Sequence, residues 1–312
     1  MKRSHLVAAV GVGLLSLLVP LVVQTDYQLQ VLFRIYLFAA LGLAWNLVGG
    51  YAGQLSLGHA AYFGAGAYGL ALFSGKLGMS PWLAIGLAVV VAMGCALLIG
   101  GVSFRLRGPY FALSTIAFAE ILRLVAKNLP DVTGGDVGLQ VPPLFQSHVS
   151  RNFYWAAVIL TAVALSVTVI IARARFGYYL MAIREDEDTA LSVGIDAPTN
   201  KLAALLISAA LTAVAGALYG SIFLYIVPDQ VLALDVSNEI AIVAMLGGAG
   251  TVLGPIVGSV VLETASEVFK NIFKEAHLLI YGALLIVVVL FLPEGIVGSI
   301  TAALRRRPRS RG

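Results

Sequence analysis

The sequence predicts an all-α fold: one polytopic bundle of about ten transmembrane segments, some of them short helices broken at glycine, in a single domain over residues 1–312. Three observations predict it. Hydrophobic residues fill 60% of the positions and charged residues 12%, about half the charge of an ordinary soluble domain. The apolar residues gather in stretches of the length that crosses a hydrocarbon core, about 20 residues. The basic residues gather between those stretches and in the tail "RRRPRSRG" at 305–312, the pattern of Lys and Arg retained on the cytoplasmic side. The net charge of +4 therefore reads as topology, with lipid as the surrounding medium and no nucleic acid implied.

Taken in order, Lys2 and Arg3 precede a first apolar stretch, 6–23. No small-x-small cleavage site follows before "QTDYQ", so it reads as a retained span rather than a signal peptide. Further spans are expected at 31–49, 55–73, 82–102, 109–127 and 153–172. With the N-terminus inside, these return the chain to the cytoplasm at 173, where Arg173, Arg175, Arg184 and Lys201 gather. The "FRLRG" turn at 104–108 also falls inside, while the loops 24–30, 128–152 and 225–237 hold one basic residue, Arg151, and fall outside. A span at 202–224, an apolar stretch at 239–262 and a span at 278–298 complete the chain. A cytoplasmic C-terminal tail requires an even number of crossings, so 238–270 is divided into two segments hinged at "LGGAG". The lone Cys95 sits in an apolar run, reads as a small buried helix residue, and offers no disulfide or thiolate metal site.

The glycines support that hinge. Gly247, Gly248 and Gly250 interrupt the run, and glycine is costly inside a helix unless a break or close packing is wanted. Gly250, Gly254 and Gly258 then recur every four residues as one small-residue helix face, and Pro255 strengthens the break. A counterpart lies in the first half: Gly49, Gly50, Gly53 and Gly58 precede the stripe Ala61, Ala65, Gly69. On the topology above, the first motif is entered from the cytoplasm and the second from outside. Two such segments in opposite halves suggest an inverted repeat and a translocation path between them. Asn46, Gln54 and Ser56 flank the first break, as solute contacts or as hydrogen-bond partners of the broken helix. His59 either lines the path or packs as a hydrogen-bonded helix residue.

Catalytic signals are missing: there is no HExxH, nucleophile elbow, GxxxxGK[ST] loop or cluster of His and Cys. His5, His59, His148 and His277 are far apart, and no metal site is expected. Glu120 and Arg123 lie three apart in an apolar span, on one helix face. Opposite charges so placed read as an intramembrane ion pair.

Ile183, Arg184, Glu185, Asp186, Glu187 and Asp188 open a charged island in the loop 173–201. Glu187, Ala190 and Leu191 fall at helical spacing, with Gly194 as a stop. Its apolar residues, Ile183, Leu191 and Val193 among them, suit docking to another protein better than solvation.

Four segments carry a resemblance: "GYAGQLSLGHAAYFGAGAY" ending at Tyr68, "FALSTIAFAEILRLVAKNLPDVTGGDVGL" from Phe111, "AIREDEDTALSVGI" from Ala182 with "KLAALLISAALTAVAGALYG" from Lys201, and "MLGGAGTVLGPIVGSVVL" from Met245. The sequence resembles permease subunits of ATP-binding-cassette importers of the branched-chain amino-acid type, the LivH/LivM family, and is similar to its LivM branch. The family's EAAxxxG coupling loop is matched by Asp188, Thr189, Ala190 and, after three residues, Gly194. The resemblance implies a bacterial inner-membrane protein with cytoplasmic termini. It implies a second homologous LivH-type permease subunit, two cytoplasmic ATPases that use ATP and magnesium, and a periplasmic binding protein that delivers leucine, isoleucine or valine. This chain would bind no cofactor and hydrolyse nothing itself. Close relatives carry urea, short amides or aromatic carboxylates.

Overall fold

The computed structural model describes residues 25–106, 108–147, 149–272, 282 and 295–299. The expected first span at 6–23, most of the last at 278–298, the basic tail at 305–312, and His5, His148 and His277 lie outside them. Six described helices are long and apolar enough to cross a membrane.

Helix α1, Asp26–Asn46, continues through a π-helical turn, Leu47–Tyr51. A non-helical segment at 52–58 follows, with Ala52, Ser56 and Gly58 buried and Gly53 and Leu55 exposed. Buried backbone that leaves the helix must find partners for its polar groups, and here side chains from three other elements supply them. Trp45 Nε1 donates to the Ser56 carbonyl at 2.7 Å, the Leu57 amide donates to Thr115 Oγ1 at 3.1 Å, and the Ala60 amide donates to Ser237 Oγ at 2.8 Å. The expected span at 55–73 is therefore a short helix, α2, His59–Leu70, with a π-helical turn to Lys76.

Helices α3, Pro81–Ser103, and α4, Pro109–Lys127, each begin on proline, whose fixed φ and missing donor suit a first turn. A short turn, α5, Pro130–Thr133, leads to strand β1, Leu139–Gln140, and then to helix α6, Val149–Arg173. Next comes an elbow of two helices, α7, Arg175–Glu185, and α8, Glu187–Ser192. Helix α9, Ala197–Phe223, leads to strand β2, Tyr225–Ile226, which pairs antiparallel with β1. The chain continues through α10, Pro228–Val231, α11, Leu234–Gly247, and α12, Gly254–Ile272.

The hinge expected at "LGGAG" is present: α11 ends at Gly247 and α12 starts at Gly254. Side chains show which way each helix runs. Near its start α1 meets both later helices, through Arg34 to Glu239 of α11 at 3.9 Å and to Glu263 of α12 at 3.2 Å. At its other end, Asn46 bonds to the loop between them. Helix α11 thus runs parallel to α1, and α12 returns antiparallel over a length of about 28 Å. This corrects one expectation. The two glycine breaks are entered from the same direction and close on the same end of the bundle, because both follow helices that run the same way.

Packing in lipid depends on close fit rather than on the hydrophobic effect, and the central helices are fitted through small residues. A side chain at Gly66 would run into the Ala213 backbone of α9, and one at Gly216 into the Phe63 backbone of α2. Gly258 lies against the Val243 backbone in the same manner. Gly250, by contrast, precedes α12 and lies off the expected helix face.

Candidate functional site

The charged island and both glycine breaks come together at one end of the bundle. Asn46, at the end of α1, spans the gap to the second break with both amide atoms. Its Nδ2 donates to the Thr251 carbonyl at 2.8 Å, and its Oδ1 accepts from the Gly250 amide at 2.7 Å. From the elbow, Arg184 Nη1 donates to the Gly50 carbonyl at 2.7 Å. The guanidinium occupies the space where a Gly250 side chain would stand, while the Arg184 stem packs over Gly53. Gly250 and Gly53 also have φ of 81° and 67°, a region in which side-chain-bearing residues are strained. One arginine of the island thus touches both breaks. Sequence spacing gives no sign of it, since 134 residues separate Arg184 from Gly50.

The island is two helices rather than one. Asp186 is extended, with φ −158° and ψ 113°, and its carboxylate caps α8 by accepting from the Thr189 amide at 2.6 Å. An N-cap of this kind satisfies a donor that the first turn leaves unpaired. Gly194 follows the end of α8 at φ 86°, as the expected stop.

Within the elbow, the roles expected of single residues separate by burial. Ile183, at 3% exposure, is packed with Ala190 and Ala197 beneath the elbow, which corrects its assignment to an outward docking face. Leu191 and Val193 are exposed at 43% and 72%. Glu187 is not a rim charge either: its carboxylate accepts from Lys201 Nζ at 2.6 Å, and Lys201 is 1% exposed. Glu185 and Asp188 are exposed. Tyr178 and Met181 of α7, also exposed, extend the apolar surface.

The polar residues around the first break act within the protein. Ser56 Oγ lies 3.2 Å from His59 Nδ1, and His59 Nε2 lies 2.8 Å from Ser208 Oγ of α9. His59 is fully buried, so the packed alternative is the one observed. Gln54 donates to the Ala52 carbonyl of its own loop at 3.3 Å. Gly58 backs onto Thr115 of α4. In the second break, Gly248 accepts from Thr251 Oγ1 at 2.7 Å, and Gly247, Gly254 and Gly258 lie in the tight contact between α11 and α12.

At the opposite end, Arg123 Nε donates to Glu120 Oε2 at 2.9 Å, the expected ion pair. It belongs to a wider network: Arg123 also binds Asp229, and Lys127 reaches Asp229 at 2.9 Å and Asp136 at 3.1 Å. Groups of His, Cys, Asp and Glu able to hold a metal ion are absent among the described residues.

Comparison with known proteins places this arrangement in a family. The family model described as "Branched-chain amino acid transport system / permease component" matches residues 27–289. The LivM permease of the high-affinity branched-chain amino-acid transport system of Salmonella typhimurium is 30% identical over 289 residues, 84% of this chain and 68% of the relative. LivM of Escherichia coli gives the same identity and coverage. LivH of Escherichia coli is 26% identical over 84% of this chain and 91% of its own. No solved structure matches the chain. A multi-pass bundle, matched by the family model from α1 to beyond α12, thus belongs to the permease components of branched-chain amino-acid transport systems.

Proposed function

We propose that the chain forms one half of the path through an ATP-driven importer of leucine, isoleucine and valine, beside a homologous LivH-type subunit in a bacterial inner membrane. A periplasmic binding protein delivers the solute. Two cytoplasmic ATPases, which bind ATP and magnesium in place of this chain, dock on the elbow formed by α7 and α8. Leu191 and Val193 enter the ATPase groove, with Glu185 and Asp188 at its rim. Apolar anchors in a pocket carry most of the energy at such an interface, and rim charges mainly set registry and rate.

The observation that carries this reading is the Arg184 contact, 2.7 Å from the Gly50 carbonyl and against Gly250. A surface that only held an ATPase would have no need to reach the ends of two spanning helices. With Arg184 in place, a shift of the elbow moves the junctions at which α1 and α11 break, and broken helices can pivot there. The test is solute-stimulated ATP hydrolysis and uptake in vesicles holding all subunits. Leu191→Arg should abolish both and release the ATPases. Retention of both activities, with ATPases still bound, would leave the elbow without its docking role.

A further inference from the structure

At the end of the bundle away from the elbow, a cavity of about 250 Å3 opens between α1, α2, α9 and α11. It is below the roughly 300–1,000 Å3 of pockets for drug-sized ligands, a size for a small solute. Its two sides differ in chemistry. One is aromatic: Phe63 packs tilted against Tyr219 at 5.2 Å between centroids, and Tyr219 against Phe223 at 4.5 Å. The other carries opposite charges, Arg34 from α1 with Glu239 and Asp235 from α11, and Asp229 from α10, whose carboxylate is already held by Arg123 and Lys127.

The charged side is built in two layers. Glu263, 4% exposed and outside the cavity lining, holds Arg34 at 3.2 Å from behind. Glu239 stands 3.9 Å from the same nitrogen, Nη2, beyond hydrogen-bond distance, and its carboxyl also shares a hydrogen bond with that of Glu263. Arg34 and Glu239 are each 32% exposed. An arginine fork has five donors, and both ion-pair contacts among the described residues use one nitrogen.

From this arrangement we infer that the cavity binds the transported solute as a zwitterion: the carboxylate on Arg34, the ammonium on Glu239 and Asp235, and an aliphatic side chain against Phe63, Tyr219 and Phe223. A neutral apolar solute would leave the charged side unused, and an ion of one sign would meet its own charge there. The inference rests on the reading of the chain as an amino-acid importer permease and adds the site. Position links the two: Arg34 and Glu239 belong to α1 and α11, whose far ends are the breaks touched by Arg184. A solute that draws Arg34 and Glu239 onto its two charges acts on the same pair of helices that the elbow acts on.

The experiment uses the complete importer in vesicles and leucine carrying a diazirine in its side chain. Illumination should attach the probe to peptides containing Phe63, Tyr219, Phe223 or Val236. Leucine should compete, whereas 4-methylpentanoate, which lacks the ammonium, and isopentylamine, which lacks the carboxylate, should not. Glu239→Gln, nearly isosteric, should lower labelling about tenfold, the weight of one charge-assisted contact, in complexes that still hold their ATPases. Ala233→Trp, which fills the cavity, should abolish it. Wild-type uptake of leucine with labelling confined to other surfaces, or labelling unchanged by both variants, would overturn the cavity site alone. Wild-type vesicles that take up no branched-chain amino acid would overturn the importer reading and the site with it.

Discussion

Arg184 and Ile183 are neighbours in an island that reads as one surface, yet they face different tasks. Ile183 is packed beneath the elbow, and Arg184 reaches back to Gly50. Hydrogen bonds from charged groups contribute roughly 1.5–3 kcal/mol, so removing this one should weaken the junction without unfolding the bundle. Arg184→Ala should therefore lower uptake about tenfold or more in a complex whose ATPases still co-purify and hydrolyse ATP. Arg184→Lys, which keeps the charge but loses the planar fork, should fall between. Equal uptake in all three proteins would show that the contact transmits nothing. A second residue, Asp196, gives a pH dependence. Its carboxylate accepts from the Thr199 hydroxyl at 2.6 Å and the Thr199 amide at 3.2 Å, and these bonds hold its pKa below the usual carboxylate range. A depressed native pKa stabilises the start of α9 above the unfolded value, and the contribution is lost as pH falls through the native one. Amide exchange at Thr199, corrected for its intrinsic pH dependence, should rise at acidic pH and become independent of pH in that range in Asp196→Asn.

Elements were legible from sequence where hydrophobic length and local stop signals decide them. Helix α4 has the expected limits, 109–127, and the hinge in "LGGAG" separates α11 from α12. The stretch at 55–73 was not legible in this way: its non-helical entry depends on Thr115, Ser237 and Trp45, which come from three different helices. Lys201 was equally hidden. It counts as a topological charge in the sequence, but in the fold it is buried on Glu187. Removing one partner of a buried pair costs roughly 3–5 kcal/mol, so Glu187→Gln should lower the melting temperature of the purified complex far more than Glu185→Gln on the exposed side. The hairpin of α11 and α12 gives a further outcome. Gly254 lies against the Gly247 and Gly248 backbone, so Gly254→Leu should force the two helices apart and reduce uptake strongly while the chain still inserts. Normal uptake would show that the hairpin tolerates separation.

At the scale of the whole molecule, the basic residues predict an orientation that the helix directions make testable. The elbow, the glycine breaks and the start of α9 share one end, where Arg173, Arg175 and Arg184 gather; the pair β1 and β2 and the start of α6 belong to the other. If Lys and Arg mark the cytoplasmic side, Thr199 is cytoplasmic and Ser147 periplasmic. Both are exposed, so a cysteine at either is open to a thiol reagent. Cys95, half-buried in α3, is the native thiol that must first be replaced by serine. In such a background, Thr199→Cys should react with a membrane-impermeant maleimide only in inverted vesicles, and Ser147→Cys only in intact spheroplasts. Ser310→Cys, in the basic tail outside the described residues, should follow Thr199. The three positions are linked by parity: if α12, which runs back antiparallel to α11, crosses as α9 and α11 do, three crossings follow Thr199, and the tail returns to its side only with one further span in 278–298. Labelling of position 310 from the periplasm, with 199 cytoplasmic, would remove that span as a crossing and leave an odd total. Reversal of 199 and 147 together would instead invert the whole bundle and detach the elbow from any cytoplasmic ATPase.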